Sequence, residues 1–412
     1  MNPYDILAMR KAFELVKKRQ KENIHKIPDL QERLRRLRRV REESVGNSEL
    51  MDKAVENLEN NGFDVRFAID DKEAIKIILE EIGGERLVVK SKSNVSKEIK
   101  LTERLESVGI KVVETDIGDR LIQILNEEPS HPTGPASHLS LDRIIRGLEE
   151  RFGVKLNSAE DVVRFLLEDI KKNIESADVS ITGVNAITAE GSILILHNEG
   201  NIFEVLRRPR KWIILAGIDK FYPSLDDALN AAKIQTFFAT GQIVPTFIEI
   251  ISGVSKTADI EKRLFKGVHN PKEITLILLD NKRSYLMNNG FREMFYCIGC
   301  GNCVIHCPAH NTFGDEFKGG RFALFSALYD GRSDLRLCLS CRRCKKNCPL
   351  SLDIPSMISK AREGSEIYNF VYSHAKWLIR TLNLETLAFY LSLKGKYRAV
   401  KNKLSLDYEN FK

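Results

Sequence analysis

Every cysteine of this 412-residue chain lies between Cys297 and Cys348. They form two groups, Cys297-Ile-Gly-Cys300-Gly-Asn-Cys303-Val-Ile-His-Cys307-Pro308 and Cys338-Leu-Ser-Cys341-Arg-Arg-Cys344-Lys-Lys-Asn-Cys348-Pro349. Both have the spacing C-x₂-C-x₂-C-x₃-C-P. An iron–sulfur cubane needs one thiolate on each iron, and three closely spaced cysteines can wrap three corners from one loop. The fourth, held ahead of a proline, points away and ligates the neighbouring cluster. The spacing therefore predicts two [4Fe–4S] clusters, one held by Cys297, Cys300, Cys303 and Cys348, the other by Cys307, Cys338, Cys341 and Cys344. Structural zinc takes two C-x₂-C pairs rather than two sets of three plus one. Disulfides suit a small secreted domain, which this chain is not.

The elements around these cysteines follow from the flanking residues. Between the groups, Phe317, Phe322, Leu324, Phe325 and Leu328 read as buried helix. That favours a helical ferredoxin module over the compact βαβ type. Arg336, Arg342, Arg343, Lys345 and Lys346 surround the second group. Positive charge there stabilises a reduced cluster and suits an acidic electron-acceptor protein, although solubility alone is an equally plain account.

Upstream the pattern changes. Short β-branched runs at Arg86–Lys90, Lys111–Glu114, Asp178–Thr182, Ser192–Leu196, Trp212–Gly217 and Thr275–Asp280 alternate with helical stretches at Lys72–Ile82, Ser96–Val108 and Ala159–Ala177. This alternation predicts an α/β domain with a mainly parallel sheet covered on both faces. Such sheets bind ligands beyond the C-terminal ends of their strands. Polar residues fall there, and Lys90, Thr182, Glu190, Glu199 and Asn201 are the candidates for a ligand pocket, with a small carboxylate as the fitting ligand. Each also has a plain reading as turn or cap chemistry. The Pro-rich stretch containing His131 and His138 reads either as a surface loop or as an active-site loop carrying a general acid. No Walker loop, G-x-G-x-x-G fingerprint or Ser-His-Asp arrangement is present, and the catalytic residues stay unassigned.

The net charge of +7 is concentrated at the N-terminus, where Arg10 to Arg41 holds thirteen Lys or Arg against four Asp or Glu. Leu30, Leu34, Leu37 and Val40 recur at helical spacing among the arginines, as in a solvated helix packed on a larger domain or a partner. No aromatic residues interleave these arginines, so nucleic acid is not expected as a partner. No apolar run is long enough to span a bilayer, and residues 1–10 lack the apolar core of a signal peptide. The expected location is cytoplasmic, with peripheral attachment to a membrane complex compatible.

Beyond these readings, several stretches resemble a known family, the lactate-utilisation iron–sulfur proteins that form the B component of a three-part L-lactate oxidation system. They are Val88-Val89-Lys90-Ser91-Lys92-Ser93, Glu114-Thr115-Asp116-Ile117-Gly118, Glu128-Pro129-Ser130-His131, Ile181-Thr182-Gly183-Val184-Asn185, Asn198-Glu199-Gly200-Asn201, Ser252-Gly253 with Lys256-Thr257-Ala258-Asp259-Ile260-Glu261, and the double cysteine motif. The resemblance covers roughly Asn47 to Ile358. It implies an α/β lactate-utilisation (LUD) domain, similar in fold to the NagB/RpiA/CoA-transferase group, fused to a small all-α helical ferredoxin domain. It also implies an oxidoreductase-complex subunit that works with other subunits of a lactate-oxidising complex and passes electrons from L-lactate, or a related 2-hydroxy acid, as pyruvate forms. The domain expectation is a basic helical segment at 1–46, a LUD-type domain at 47–285, a two-cluster ferredoxin domain at 286–360 and a short helical tail at 361–412. Many members of the family extend further after the counterpart of Pro355. The rival function is a non-catalytic iron–sulfur adaptor that links another dehydrogenase to a heterodisulfide-reductase-like or quinone-linked acceptor.

Overall fold

The computed structural model describes residues 3–329, 331 and 333–362; the expected C-terminal tail lies almost wholly outside them. The chain divides into two compact units. One gathers Arg19–Glu127 and Leu141–Cys300, the other the described residues of Met1–Lys18, Glu128–Ser140 and Gly301–Lys412.

The larger unit is built on twelve strands: β1 Asp64–Ala68, β2 Leu87–Lys90, β3 Lys111–Glu114, β4 Val179–Thr182, β5 Ala186–Thr188, β6 Ile193–His197, β7 Lys211–Gly217, β8 Phe221–Tyr222, β9 Phe247–Ile251, β10 Lys256–Thr257, β11 Phe265–Lys266 and β12 Glu273–Leu279. Six of them form one sheet in the order β1-β12-β7-β4-β2-β3, and every neighbouring pair in it is parallel. The alternation of side chains along a strand explains why its strands read as continuous apolar runs. In β7, Ile213 and Leu215 face one core and Trp212, Ile214 and Ala216 face the other. Against the first face pack Ala74, Ile78 and Ile82 of helix Asp71–Ile82, with Leu101 and Leu105. Against the second pack Ala54 and Leu58 of helix Ser48–Asn60. Ile170 and Ile174 of helix Ala159–Ser176 cover Val89 and Val113. The α/β class with helices on both faces is therefore as expected.

Two expectations at the element level are corrected. The helix expected over Ser96–Val108 is two, Asn94–Glu98 and Leu101–Ser107, because Lys100 turns left-handed at φ 51°. The strand expected at Ser192–Leu196 forms as β6, but in a separate mixed sheet of order β8-β5-β6-β9, antiparallel to both of its neighbours. Its pairing with β5 comes from the tight Glu190-Gly191 turn, where Gly191 has φ 75° and a Cβ would collide with the Asn57 backbone.

The smaller unit is helical. Its helices include Asn302–Ile305, Pro308–Phe313, Gly320–Tyr329, Arg343–Lys346 and Ile354–Arg362, and Met9 and Phe13 of helix Pro3–Asn23 pack with Cys303, Val304, Ile305, Phe322 and Cys344. Phe13 also lies against the rings of His131 and His310, with centroids 5.3 and 6.0 Å away. Of the residues expected as buried helix, Leu324 is buried and Phe322, Phe325 and Leu328 are half-buried in helix Gly320–Tyr329, whereas the buried Phe317 precedes that helix in extended backbone.

Candidate metal centre

Cys307, Cys338, Cys341 and Cys344 line one pocket of the smaller unit, with Pro308, Phe317, Ile358 and Gly320 among its walls. Cys307 ends one motif and the other three open the next, so the cavity joins cysteines from both groups. Burial pushes the Cys307 thiol up to about 12, with Cys338 and Cys341 adding repulsion against the backbone N–H groups of His310 and Gly320 that point at its sulfur. Cys344 is pushed up further by burial and by Cys303, Cys307, Cys338 and Cys341 around it. Such thiols stay protonated until a cation displaces the proton, and a coordinating metal does so outright. At Cys338, burial acts upward while Arg362 opposes it. The Arg362 guanidinium is buried and donates to the carbonyls of Leu335 and Cys338. Among the described residues no group of three or more His, Cys, Asp and Glu closes around a single ion. A cubane asks for something else, sulfurs spread around a cavity on separate irons. The four thiols, the apolar lining and the N–H groups aimed at sulfur fit that group.

The two cysteine loops share a backbone shape. In the first, Gly299 and Gly301 take φ of 77° and 74°; in the second, Ser340 and Arg342 take φ of 51° and 60°. This left-handed conformation turns amides toward sulfur, as where Gly299 N–H donates to Cys297 Sγ at 3.3 Å and Ser340 N–H donates to Cys338. Glycine adopts it without penalty, while an L side chain costs roughly 1–2 kcal/mol. The motifs are also tied to each other: Asn302, beside Cys303, donates from Nδ2 to the carbonyl of Asn347, beside Cys348, at 2.7 Å. Gly320 is required by close approach, since a Cβ there would lie 2.6 Å from Cys303 Sγ. Cys297 and Cys300 fall in the larger unit, Cys303 and Cys348 in the smaller one.

The loop containing His131 belongs to the smaller unit, not to the strand ends of the α/β unit. His131 Nδ1 accepts from the N–H groups of Thr133 and Gly134, and its Nε2 lies 3.2 Å from the Gly301 carbonyl. His138 is buried in the same loop. The reading of this stretch as a surface loop is corrected, since both histidines are buried, and His131 braces the backbone beside the first cysteine motif. Sequence alone lacked the signal, because 170 positions separate the two partners.

The five pocket candidates of the α/β unit do not converge on one site. Lys90 and Glu114 are buried and paired at 2.9 Å, and Lys90 Nζ also donates to Ser91 O and Ser96 Oγ. Beside them lie the pairs Lys92–Asp116 at 2.7 Å and Lys97–Asp119 at 2.5 Å. Asn201 donates to the Thr115 carbonyl at 2.9 Å, and Glu199 accepts from the Ile117 N–H at 3.0 Å. Lys90, Glu199 and Asn201 thus share a charged cluster at the ends of β2 and β3. Desolvation and the Asp116 carboxylate push the Glu199 carboxyl up to about 7, while Ile117 N–H and Lys92 oppose the rise. Thr182 instead accepts from Trp212 Nε1 at 2.9 Å within the core, and Glu190 accepts from Leu225 N–H at the start of helix Leu225–Thr240. The crevice between β2 and β4, where the connections diverge, is where a doubly wound sheet places a ligand. Here Ser93 packs into it, and a Cβ on Gly183 would lie 2.7 Å from Ser93 Oγ.

The arginine-rich N-terminal helix, Leu30–Ser44, buries Leu30, Leu37 and Val40 as its periodicity predicts. It also buries Arg41, whose guanidinium donates to the carbonyls of Asp219, Phe221 and Phe295 and lies 4.6 Å from the Tyr222 ring centroid. No described helix is long and apolar enough to cross a membrane.

Comparison with known proteins agrees with this geometry. A LUD domain model matches residues 51–279, and a 4Fe-4S dicluster domain model matches residues 293–352, which marks the cysteine region as an iron–sulfur domain. Lactate utilization protein B of Geobacillus kaustophilus is 31% identical over 324 residues, 75% of this chain and 66% of that protein. Lactate utilization protein B of Bacillus licheniformis is 31% identical over 328 residues, 76% of this chain and 67% of that protein. The chain thus spans about two thirds of the length of these relatives. A DUF162 family protein of Deinococcus radiodurans of solved structure aligns with 56% of this chain and 97% of its own at 14% identity and a TM-score of 0.32. The chain belongs to the LUD domain family, in the form that joins this domain to a 4Fe-4S dicluster domain and whose relatives are lactate utilization B proteins.

Proposed function

We propose that this chain is the iron–sulfur electron-transfer subunit of a complex that oxidises L-lactate, or a related 2-hydroxy acid, to pyruvate. The observation that carries the reading is the cavity lined by Cys307, Cys338, Cys341 and Cys344. These four hold one [4Fe–4S] cluster, and Cys297, Cys300, Cys303 and Cys348 hold the other, the second set resting on motif spacing and on the Asn302–Asn347 tie. Bound clusters of this type each carry one electron, so two accept the pair released by a hydroxyacid one at a time. The residues of the chain keep the sulfurs in place, turn amides and the Arg362 cation toward them, and exclude water with Phe317, Pro308 and Ile358. The names of the relatives support lactate as the source of the electrons.

One observation favours the relay over a chain that oxidises substrate itself. Lys90 and Thr182, expected to face a ligand, spend their polar atoms on Glu114, Ser91, Ser96 and Trp212. The substrate is then oxidised on a partner subunit, and this chain passes the electrons to an acceptor protein. EPR of the anaerobic, cluster-loaded chain tests this. The expected result is a reduced-cluster signal with dithionite and none with L-lactate alone, appearing with lactate once partner subunits are added. A full signal from the isolated chain and lactate would place the oxidation site in this chain and end the relay reading.

A further inference from the structure

Among the cysteines of the cavity, Cys341 is exposed, Cys307 is buried and Cys338 and Cys344 are intermediate. Electron transfer weakens steeply with distance, so the exposed ligand marks the corner where electrons leave. Cys341 is flanked by two left-handed residues, Ser340 and Arg342. Arg342 occupies the position that Gly301 holds in the first motif, where the same backbone shape comes without strain.

The other cations around this corner separate into two kinds. Arg336 is tied to Asp334 by two contacts of 2.7 Å, and Lys345 to Asp353 at 3.1 Å. Arg342 and Lys346 are exposed and meet no carboxylate among the described residues. We infer that Arg342 and Lys346 around Cys341 form the docking face for an acidic one-electron carrier protein. This rests on the iron–sulfur reading above. The step is electron transfer alone: one electron leaves this chain, the carrier's acceptor centre is reduced by one, and no bond or proton moves. Complementary charge of this kind acts on the rate of encounter and on its salt dependence.

The test uses the full cluster-loaded chain, reduced with dithionite and mixed in a stopped-flow instrument with oxidised cytochrome b5, an acidic haem protein, or with cytochrome c, a basic one. Three proteins are compared: the native chain, Arg342→Gly and Lys346→Ala. For the native chain the cytochrome b5 rate falls as salt rises and the cytochrome c rate does not. Arg342→Gly relieves the left-handed strain, so iron and sulfide content stay intact, yet it lowers the cytochrome b5 rate about fivefold at low salt and flattens its salt dependence. Lys346→Ala acts in the same direction. Cytochrome b5 rates unchanged in both variants, or an equal slowing with both cytochromes, would overturn the docking face while leaving the clusters standing. A native chain without iron and sulfide would overturn the iron–sulfur reading itself.

Discussion

Glu199 is where single-residue electrostatics is most exposed to test. Its carboxyl is held up near 7 by desolvation and by Asp116. A raised acid favours the folded state where that state alone keeps the proton. Its stabilising contribution is complete below the ordinary glutamate range and is lost as pH rises through about 7. Glu199→Gln keeps an acceptor for the Ile117 N–H but has no charge to place. The variant should therefore unfold at a higher temperature than the native chain at pH 8, with the difference closing by about pH 5. A gap that stays constant with pH would show that Glu199 is not held protonated by its neighbours. Legibility at this scale divides by chemistry. The iron–sulfur character of residues 293–352 was readable because a cubane constrains cysteine spacing within one loop. Lys90, Thr182 and Glu190 were not, because their partners Glu114, Trp212 and the Leu225 N–H lie 24 or more positions away and look polar or apolar without regard to pairing.

Elements show the same division. The strands of the parallel sheet were legible as apolar runs because both faces are covered, and helix Leu30–Ser44 was legible from its leucine spacing. What the spacing could not show is that one of its arginines points inward. Arg41 is 1% exposed and serves three carbonyls on two separate segments, Asp219 and Phe221 on one and Phe295 on the other. It and Arg283 stand with Lys220 around the buried Asp219 and hold its carboxyl well below the usual range against the opposing effect of burial. Truncating Arg41 leaves those carbonyls without a donor and Asp219 with less compensation. Arg41→Ala should cost about 3–5 kcal/mol in denaturant unfolding, and Arg41→Lys should recover only part, because one ammonium cannot reach three diverging carbonyls. A loss below 1 kcal/mol would mean that the helix is an external ornament. The break at Lys100 and the pairing of β6 were hidden for a related reason: a left-handed lysine and a tight glycine turn are decided by packing, not by period.

At the scale of the whole molecule, chain order and spatial grouping part company. Glu128–Ser140 lies within the span whose sequence reads as LUD domain, and Met1–Lys18 lies far from the cysteines, yet both group with the iron–sulfur segment. Phe13 against His131 and His310, and His131 against Gly301, show what the grouping does: it walls the cysteine loops with aromatic and imidazole rings from distant parts of the chain. Periodicity cannot reveal such long-range packing, because each partner segment is locally unremarked. Under the proposed function, this wall and the paired motifs hold two cubanes. Iron, acid-labile sulfide and zinc measured on anaerobically purified chain test it most directly. The expected result is about eight irons and eight sulfides per chain, as two four-iron clusters require, with an EPR signal after dithionite. Zinc with no sulfide, or about four irons, would contradict it.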